Sequence, residues 1–301
     1  MNIPRPDPDA PMDALRERAC GCAWHGRRLF TGLLASGLAA PALAAIPECK
    51  RSGFTRAVPA EQIEQSAQQQ YRQMLVQAQS QRGLAPATHA QVQRLRTIAE
   101  RIIPFAPECN PRASQWRWEV NLIGSPEINA FCMPGGKIGF YYGILAKLQL
   151  SDDEVAVIMG HEIAHALLEH AREQVGKNTL TQTGLRLGAA LLGLGNLGDM
   201  AAQIGSQLLS LTYSRSDESE ADALGLVMSA RAGYRPQAGV TLWQKMVAAS
   251  GGKSPPKLLS THPAGDDRIR DLQARMERVE PLYEAADKPS RVFGPPPPLK
   301  G

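Results

Sequence analysis

His161 and His165 stand four residues apart in the run His161-Glu162-Ile163-Ala164-His165. On a helix that spacing puts both imidazoles on one face, a turn apart, where they can reach a single metal ion. Glu162 follows the first of them and projects beside the same point, where a carboxylate can hold and deprotonate a water. Random placement of the chain's His and Glu residues gives such a run roughly once in 150 chains of this length. The plainer alternative is a helix whose two histidines are satisfied by ordinary hydrogen bonds. An apolar helix seldom carries these groups without a chemical use, because every buried polar group has to be compensated.

A catalytic zinc takes three protein donors and keeps one position open. The third donor has to come from another element, and Ser216-Asp217-Glu218-Ser219-Glu220-Ala221-Asp222 supplies candidates. Glu218 and Asp222 share a helix face, whereas Glu220 points about 200° away from Glu218. With Glu218 as donor, Asp222 is placed to accept a hydrogen bond from a ligating imidazole. Alone, the stretch reads as a solvated acidic helix start favoured by the helix dipole. Beside the histidine run, it reads as the source of the third donor.

The elements that must hold these groups can be read from local pattern. Ser151-Asp152-Asp153-Glu154 is a capping box with acids at the positive helix end, and Val155, Val157, Ile158 and Met159 make the following helix largely buried. The acidic stretch opens a second helix that ends near Gly233, with Pro236 beyond. Upstream, helices are expected over Glu61–Gln81, with Ile63, Tyr71, Met74 and Leu75 on one face, and over Ala90–Ile103, stopped by Pro104. Trp116–Ile123 alternates like a half-buried strand, and Asn129–Tyr142 reads as two short strands joined at Pro134-Gly135-Gly136. Leu180–Leu211, rich in Leu, Ala and Gly, is expected to be helical hairpin material near the cleft.

The combination resembles a known family. His161-Glu162-x-x-His165 followed by Glu218-x-x-Ala221-Asp222 is similar to the gluzincin zinc metallopeptidases of the HtpX and CAAX prenyl protease type. The likeness runs from about Glu61 to Arg275. It takes in Glu127-Ile128-Asn129-Ala130-Phe131-Cys132-Met133-Pro134-Gly135-Gly136, then Ser260-Thr261-His262-Pro263, then Arg268. It is nearest the soluble periplasmic branch that includes BepA and LoiP, with too little chain after Arg275 for a tetratricopeptide domain.

The resemblance implies an α+β, mainly helical, zincin-like domain with a small sheet whose edge strand borders the active-site cleft. It implies one Zn²⁺ per chain held by His161, His165 and Glu218, with Glu162 as the base and Asp222 behind the ligands. Asn129, Ala130 and Phe131 would form the edge to which an extended substrate adds as a strand. His262 has two readings, a fourth zinc donor or an oxyanion stabiliser. Arg268 likewise is either an oxyanion or carboxylate partner or an ordinary surface arginine. His89 and His170 receive no role, since His170 lies about 140° off the metal face of a continuous helix. Cys132 reads as a packed thiol.

The implied function is an exported zinc metalloendopeptidase that hydrolyses unfolded or misassembled envelope polypeptides, outer-membrane proteins among them. The competing class is a zinc-containing chaperone or assembly factor for outer-membrane proteins, and Glu162 separates the two, because a pure binder has no need of it. A structural zinc domain is excluded, since such sites usually fill four positions with Cys and the chain beyond residue 44 has no Cys pair at ligand spacing.

Composition agrees with a globular enzyme. The 301 residues are 43% hydrophobic and 21% charged, which rules out a disordered or collagen-like chain, and no run of about 20 apolar residues occurs. Residues 1–44 read as a signal peptide: Arg27-Arg28, the apolar stretch Leu29 to Leu43, then Ala42-Leu43-Ala44. Both Sec and twin-arginine export fit, and the destination is the periplasm. The remaining chain carries 28 basic against 25 acidic residues, too even a balance for nucleic-acid binding. Cys49 and Cys109 can pair in an oxidising compartment. The metallopeptidase domain is expected over residues 45–285, and a proline-rich disordered tail over 286–301.

Overall fold

The structure, a computed structural model, describes residues 49–191, 208–251, 256–262 and 266–298. The expected signal peptide, and the middle of the expected Leu180–Leu211 hairpin, lie outside the described residues. The fold is α+β and mainly helical, with one small sheet.

A 3₁₀ turn, Gly53–Ala57, is followed by two α-helices. Helix α1 (Ala60–Ser80) buries Ile63, Ala67 and Tyr71 on one face, and the Tyr71 hydroxyl donates to the carbonyl of Ile138 at 2.7 Å. Helix α2 (Ala90–Ile102) passes into a 3₁₀ turn, Ile103–Phe105, and a short α3 (Ala106–Cys109). The α-helix thus stops just before Pro104, as expected, and the chain continues as a 3₁₀ turn. Pro104 sits in the first turn of the 3₁₀ segment, where its missing N–H costs nothing. Cys109 at the end of α3 is disulfide-bonded to Cys49.

The sheet follows: β1 (Glu119–Ile123), β2 (Ala130–Met133) and β3 (Lys137–Tyr141), in the order β1-β3-β2. β1 runs parallel to β3, and β2 pairs antiparallel to it, Ala130 opposite Phe140 and Met133 opposite Lys137. The β2–β3 turn uses Gly135 and Gly136 at φ 82° and 75°. A Cβ on Gly136 would also stand 2.7 Å from the Trp118 ring. That packing explains why β1 is shorter than the alternation of Trp116 to Ile123 suggested. Trp116 and Trp118 precede the strand and close over the turn, 5.3 Å apart.

A short α4 (Tyr142–Lys147) leads to α5 (Asp152–Leu167), the central helix. Its capping box is present: the Ser151 hydroxyl accepts from the Glu154 amide at 3.2 Å, and the Glu154 carboxylate accepts from the Ser151 amide at 2.8 Å. From Glu154 to Leu167 every residue is buried, with α2, β2 and later helices packed around it. Each fully buried Ile, Leu, Val or Met here contributes roughly 1.5–3 kcal/mol.

Helix α6 (His170–Leu191) starts after a left-handed residue, Glu169 at φ 61°. Helix α7 (Arg215–Arg231) has its own capping box, Ser214 with Asp217. It starts one residue before the expected Ser216 and stops just before Gly233, whose φ is 87°. Helices α8 (Ala238–Ser250), α9 (Lys257–Thr261) and α10 (Asp266–Ala285) complete the set among the described residues. None of the described helices is long and apolar enough to cross a membrane.

Residues 286–298, the described part of the expected tail, form no helix or strand, and several of them dock on the helical body. Phe293 and Gly294 donate their amides to Asp152 at 2.8 and 3.2 Å, and Gln149 donates to the carbonyl of Pro296 at 3.1 Å. Asp152 is also held by the fully buried Arg94 at 2.6 Å. Prolines restrict the unfolded chain to extended forms, so docking this segment costs less entropy than its composition suggests.

Candidate metal centre

Helices α5 and α7 cross at the point where both need their functional side chains. α5 sends down His161 and His165, and α7 meets them with Glu218. His161 Nε2 lies 3.1 Å from His165 Nε2 and 3.5 Å from Glu218 Oε2, and His165 Nε2 is 3.3 Å from Glu218 Oε1. His262, at the end of α9, joins them. Its Nδ1 is 3.2 Å from His161 Nε2 and 2.9 Å from Glu218 Oε1. All four donor atoms fall within 4.8 Å of one another and all four residues are buried.

These separations test the site for a metal. Four donors each about 2.0–2.1 Å from a tetrahedral centre stand about 3.3 Å apart, and the observed distances scatter around that value. The donor chemistry agrees. Burial holds His165 well below the usual imidazole pKa, hence neutral. Burial opposes the charge on Glu218, but hydrogen bonds from His165 and His262 and the charge of His161 prevail and keep it well below the usual carboxylate range. A neutral imidazole and an ionised carboxylate are the forms in which such side chains bind a metal. The cluster fits a metal ion.

Glu162 stands beside the cluster, 3.6 Å from His262 Nε2. Burial pushes its carboxyl above the usual range, against the pull of His262 and His161. Its Oε1 is buried without a hydrogen-bond partner among the described residues. A buried acceptor left without a donor is costly unless a ligand or solvent group completes it.

The surroundings fix these rings. Asp222, one turn beyond Glu218, takes His161 Nδ1 at 2.9 Å. Arg268, on α10, is no surface arginine: it is 8% exposed and donates to Asp222 at 2.6 and 2.7 Å and to Glu218. Its guanidinium lies 3.6 Å from the centre of the Trp243 ring. Tyr213 stacks on His165 with ring centres 4.1 Å apart. Neither Trp243 nor Tyr213 was singled out in the sequence, although Tyr213 stands directly before the capping Ser214, a position that often packs back on its helix.

Among the described residues, β2 pairs with β3 alone. Ala130, Phe131 and Cys132 are nevertheless buried, because Leu208, Leu209, Leu211 and Tyr213 line a narrow cleft together with them, Glu162 and His262. Asn129 turns its side chain onto the amide of Ala130 at 3.0 Å. A second, narrow apolar pocket, lined by Leu242, Trp243, Met246 and Leu258, adjoins His161 and Glu162. Cys132 is a buried free thiol whose pKa burial drives well up. His89 sits away from the cluster and caps α2.

His170 differs from its sequence reading. The 140° offset assumed one continuous helix, but α5 ends at Leu167 and the left-handed Glu169 redirects the chain. His170 thereby returns to His165, Nδ1 to Nδ1 at 2.9 Å.

Comparison with known proteins agrees with this geometry. Residues 89–276 match Peptidase family M48. The chain is 32% identical over 207 residues to the mitochondrial metalloendopeptidase OMA1 of Schizosaccharomyces pombe, covering 68% of this chain and 58% of that relative. It is 39% identical over 168 residues to the Arabidopsis thaliana OMA1, covering 55% of this chain and 33% of the relative. It is 29% identical over 206 residues to the β-barrel assembly-enhancing protease (BepA) of Yersinia pestis, covering 65% of this chain and 41% of the relative. The chain thus spans between a third and three-fifths of these relatives' lengths. The HtpX and CAAX protease grouping was coarser than these matches, which place OMA1 beside BepA.

Proposed function

The chain belongs to peptidase family M48, and from that premise we propose that it is an exported zinc metalloendopeptidase acting on unfolded or misassembled envelope polypeptides. One observation carries this reading: the Glu162 carboxylate oxygen that lacks a hydrogen-bond partner is buried beside a set of imidazole and carboxylate donors spaced for one metal ion. When bound, zinc would polarise a scissile carbonyl and bring the pKa of water to about 7. His161, His165 and Glu218 would hold it. Glu162 accepts the proton of the attacking water at Oε1 and returns it to the leaving amine. The raised affinity of this carboxyl for protons suits both transfers.

His262 stands where a fourth donor would. Standing 3.6 Å from Glu162, its ring could instead donate to the oxyanion that develops during hydrolysis. An extended substrate adds to β2, whose outer backbone groups confer affinity with little sequence preference. Leu208 to Tyr213 have to yield for it to do so. The periplasmic destination rests on the leader pattern in residues 1–44 and on the BepA relatives, and residues 45–285 would form the catalytic domain. The presence of His262 among the four possible donors favours a second reading, a zinc-containing assembly factor for outer-membrane proteins with little proteolysis.

Zinc content and casein cleavage, measured together, decide between them. Glu162→Gln should keep one zinc per chain and lose cleavage. A wild type that binds zinc but leaves casein intact supports the assembly factor. A Glu162→Gln variant as active as the wild type removes the proposed mechanism.

A further inference from the structure

We propose that His170 is a positioning residue that holds His165 in its metal-binding orientation, a role additional to the family's His-Glu-His and Glu set. The inference rests on the metal-centre reading above. His165 Nε2 faces His161 and Glu218, so with a metal ion on that nitrogen the other, Nδ1, has to carry the hydrogen and find an acceptor. The nearest partner is His170 Nδ1, at 2.9 Å, with the two rings at 73° and their centres 4.9 Å apart. Two ring nitrogens so close share one proton, which places the lone pair on His170 Nδ1 and its own hydrogen on Nε2. That Nε2 looks toward Glu220, 3.7 Å away.

The chain of groups is therefore His165, His170, Glu220, and the backbone is built to keep it. His170 is 2% exposed. The left-handed Glu169 that brings it round is clasped by Arg172 at 2.8 Å, one turn into α6, and approached by Arg51 at 3.8 Å. The two ligating imidazoles are braced differently: Asp222 gives His161 an anionic partner, and His170 gives His165 a neutral one. Outer partners of this kind raise ligand basicity and fix ring orientation, and their loss typically costs about 10–100-fold in metal affinity.

The test is zinc affinity of the full-length protein by chelator competition, together with the visible spectrum of the Co²⁺-loaded form. His170→Ala and His170→Leu should bind Zn²⁺ about 10–100-fold more weakly and shift the Co²⁺ bands. His170→Asn should recover most of the affinity, since its Oδ1 falls where Nδ1 was. Thermal melting of the metal-free forms controls for folding, and the Asn variant keeps the test open if Ala or Leu melts early. If His170→Leu binds zinc like the wild type, the residue only fills space and the proposal fails. If His170→Asn is as weak as Ala, the proposed hydrogen bond is not what matters, and the proposal fails too. A wild type that binds no zinc would instead overturn the metal-centre reading itself.

Discussion

Gly160 and Gly225 meet backbone to backbone where α5 crosses α7. A Cβ on Gly160 would lie 2.6 Å from the Gly225 carbonyl oxygen, and one on Gly225 would lie 2.6 Å from the His161 amide nitrogen. This contact brings Glu218 within reach of two imidazoles on another helix, for Gly160 directly precedes His161 and Gly225 lies two turns beyond Glu218.

Gly225→Ala therefore reverses the usual sign of a helical glycine replacement. In an unobstructed helix the change stabilises by about 0.5–1 kcal/mol. Here the methyl forces the helices apart, and overpacking of this kind costs about 1–3 kcal/mol. Thermal melting should show the loss, and zinc affinity should fall with it. A variant that melts higher than the wild type would show that the crossing has room to spare.

Arg268→Met should destabilise the metal-free protein by about 3–5 kcal/mol, because it strands Asp222 and Glu218 as buried carboxylates without their common partner. Bound zinc supplies positive charge beside Glu218, so the deficit should be smaller in the loaded form. Urea unfolding of both forms checks this; equal losses with and without zinc would contradict it.

Chelation should abolish casein cleavage and lower the melting temperature while leaving the far-ultraviolet circular dichroism unchanged. The apolar core around α5 is extensive and independent of the ion. Added zinc should restore both properties. An unfolded apo-protein would mean that the metal, rather than the core, sustains the fold.

Replacing Cys49 and Cys109 together by Ser opens a link between residues 60 apart in sequence. The unfolded chain then gains freedom equivalent to about 4 kcal/mol. Chemical denaturation of the double variant should show a loss of that order, and the oxidised wild type should lose the same amount on reduction.

Much of the centre was legible because it is local. The 3.6-residue period alone puts His161 beside His165, and Glu218 beside Asp222, whatever the rest of the chain does. The Ser151 capping box and the Gly135-Gly136 turn are likewise short-range, and both are present as read. Where the chain leaves regular structure, such reading fails. A single left-handed residue, Glu169, turned His170 from a bystander into the neighbour of His165, and periodicity cannot register such a break.

By itself, then, the sequence determined which donors exist and which of them share a helix face, since those relations follow from covalent spacing. The tertiary structure decided everything that joins separate elements. It closed α5 on α7 through Gly160 and Gly225, buried Arg268 between two carboxylates, brought His262 from α9 to the donor set, and laid residues 286–298 along Asp152. These depend on how shapes and unpaired polar groups complement one another across long separations, and no pattern within one segment encodes its partner.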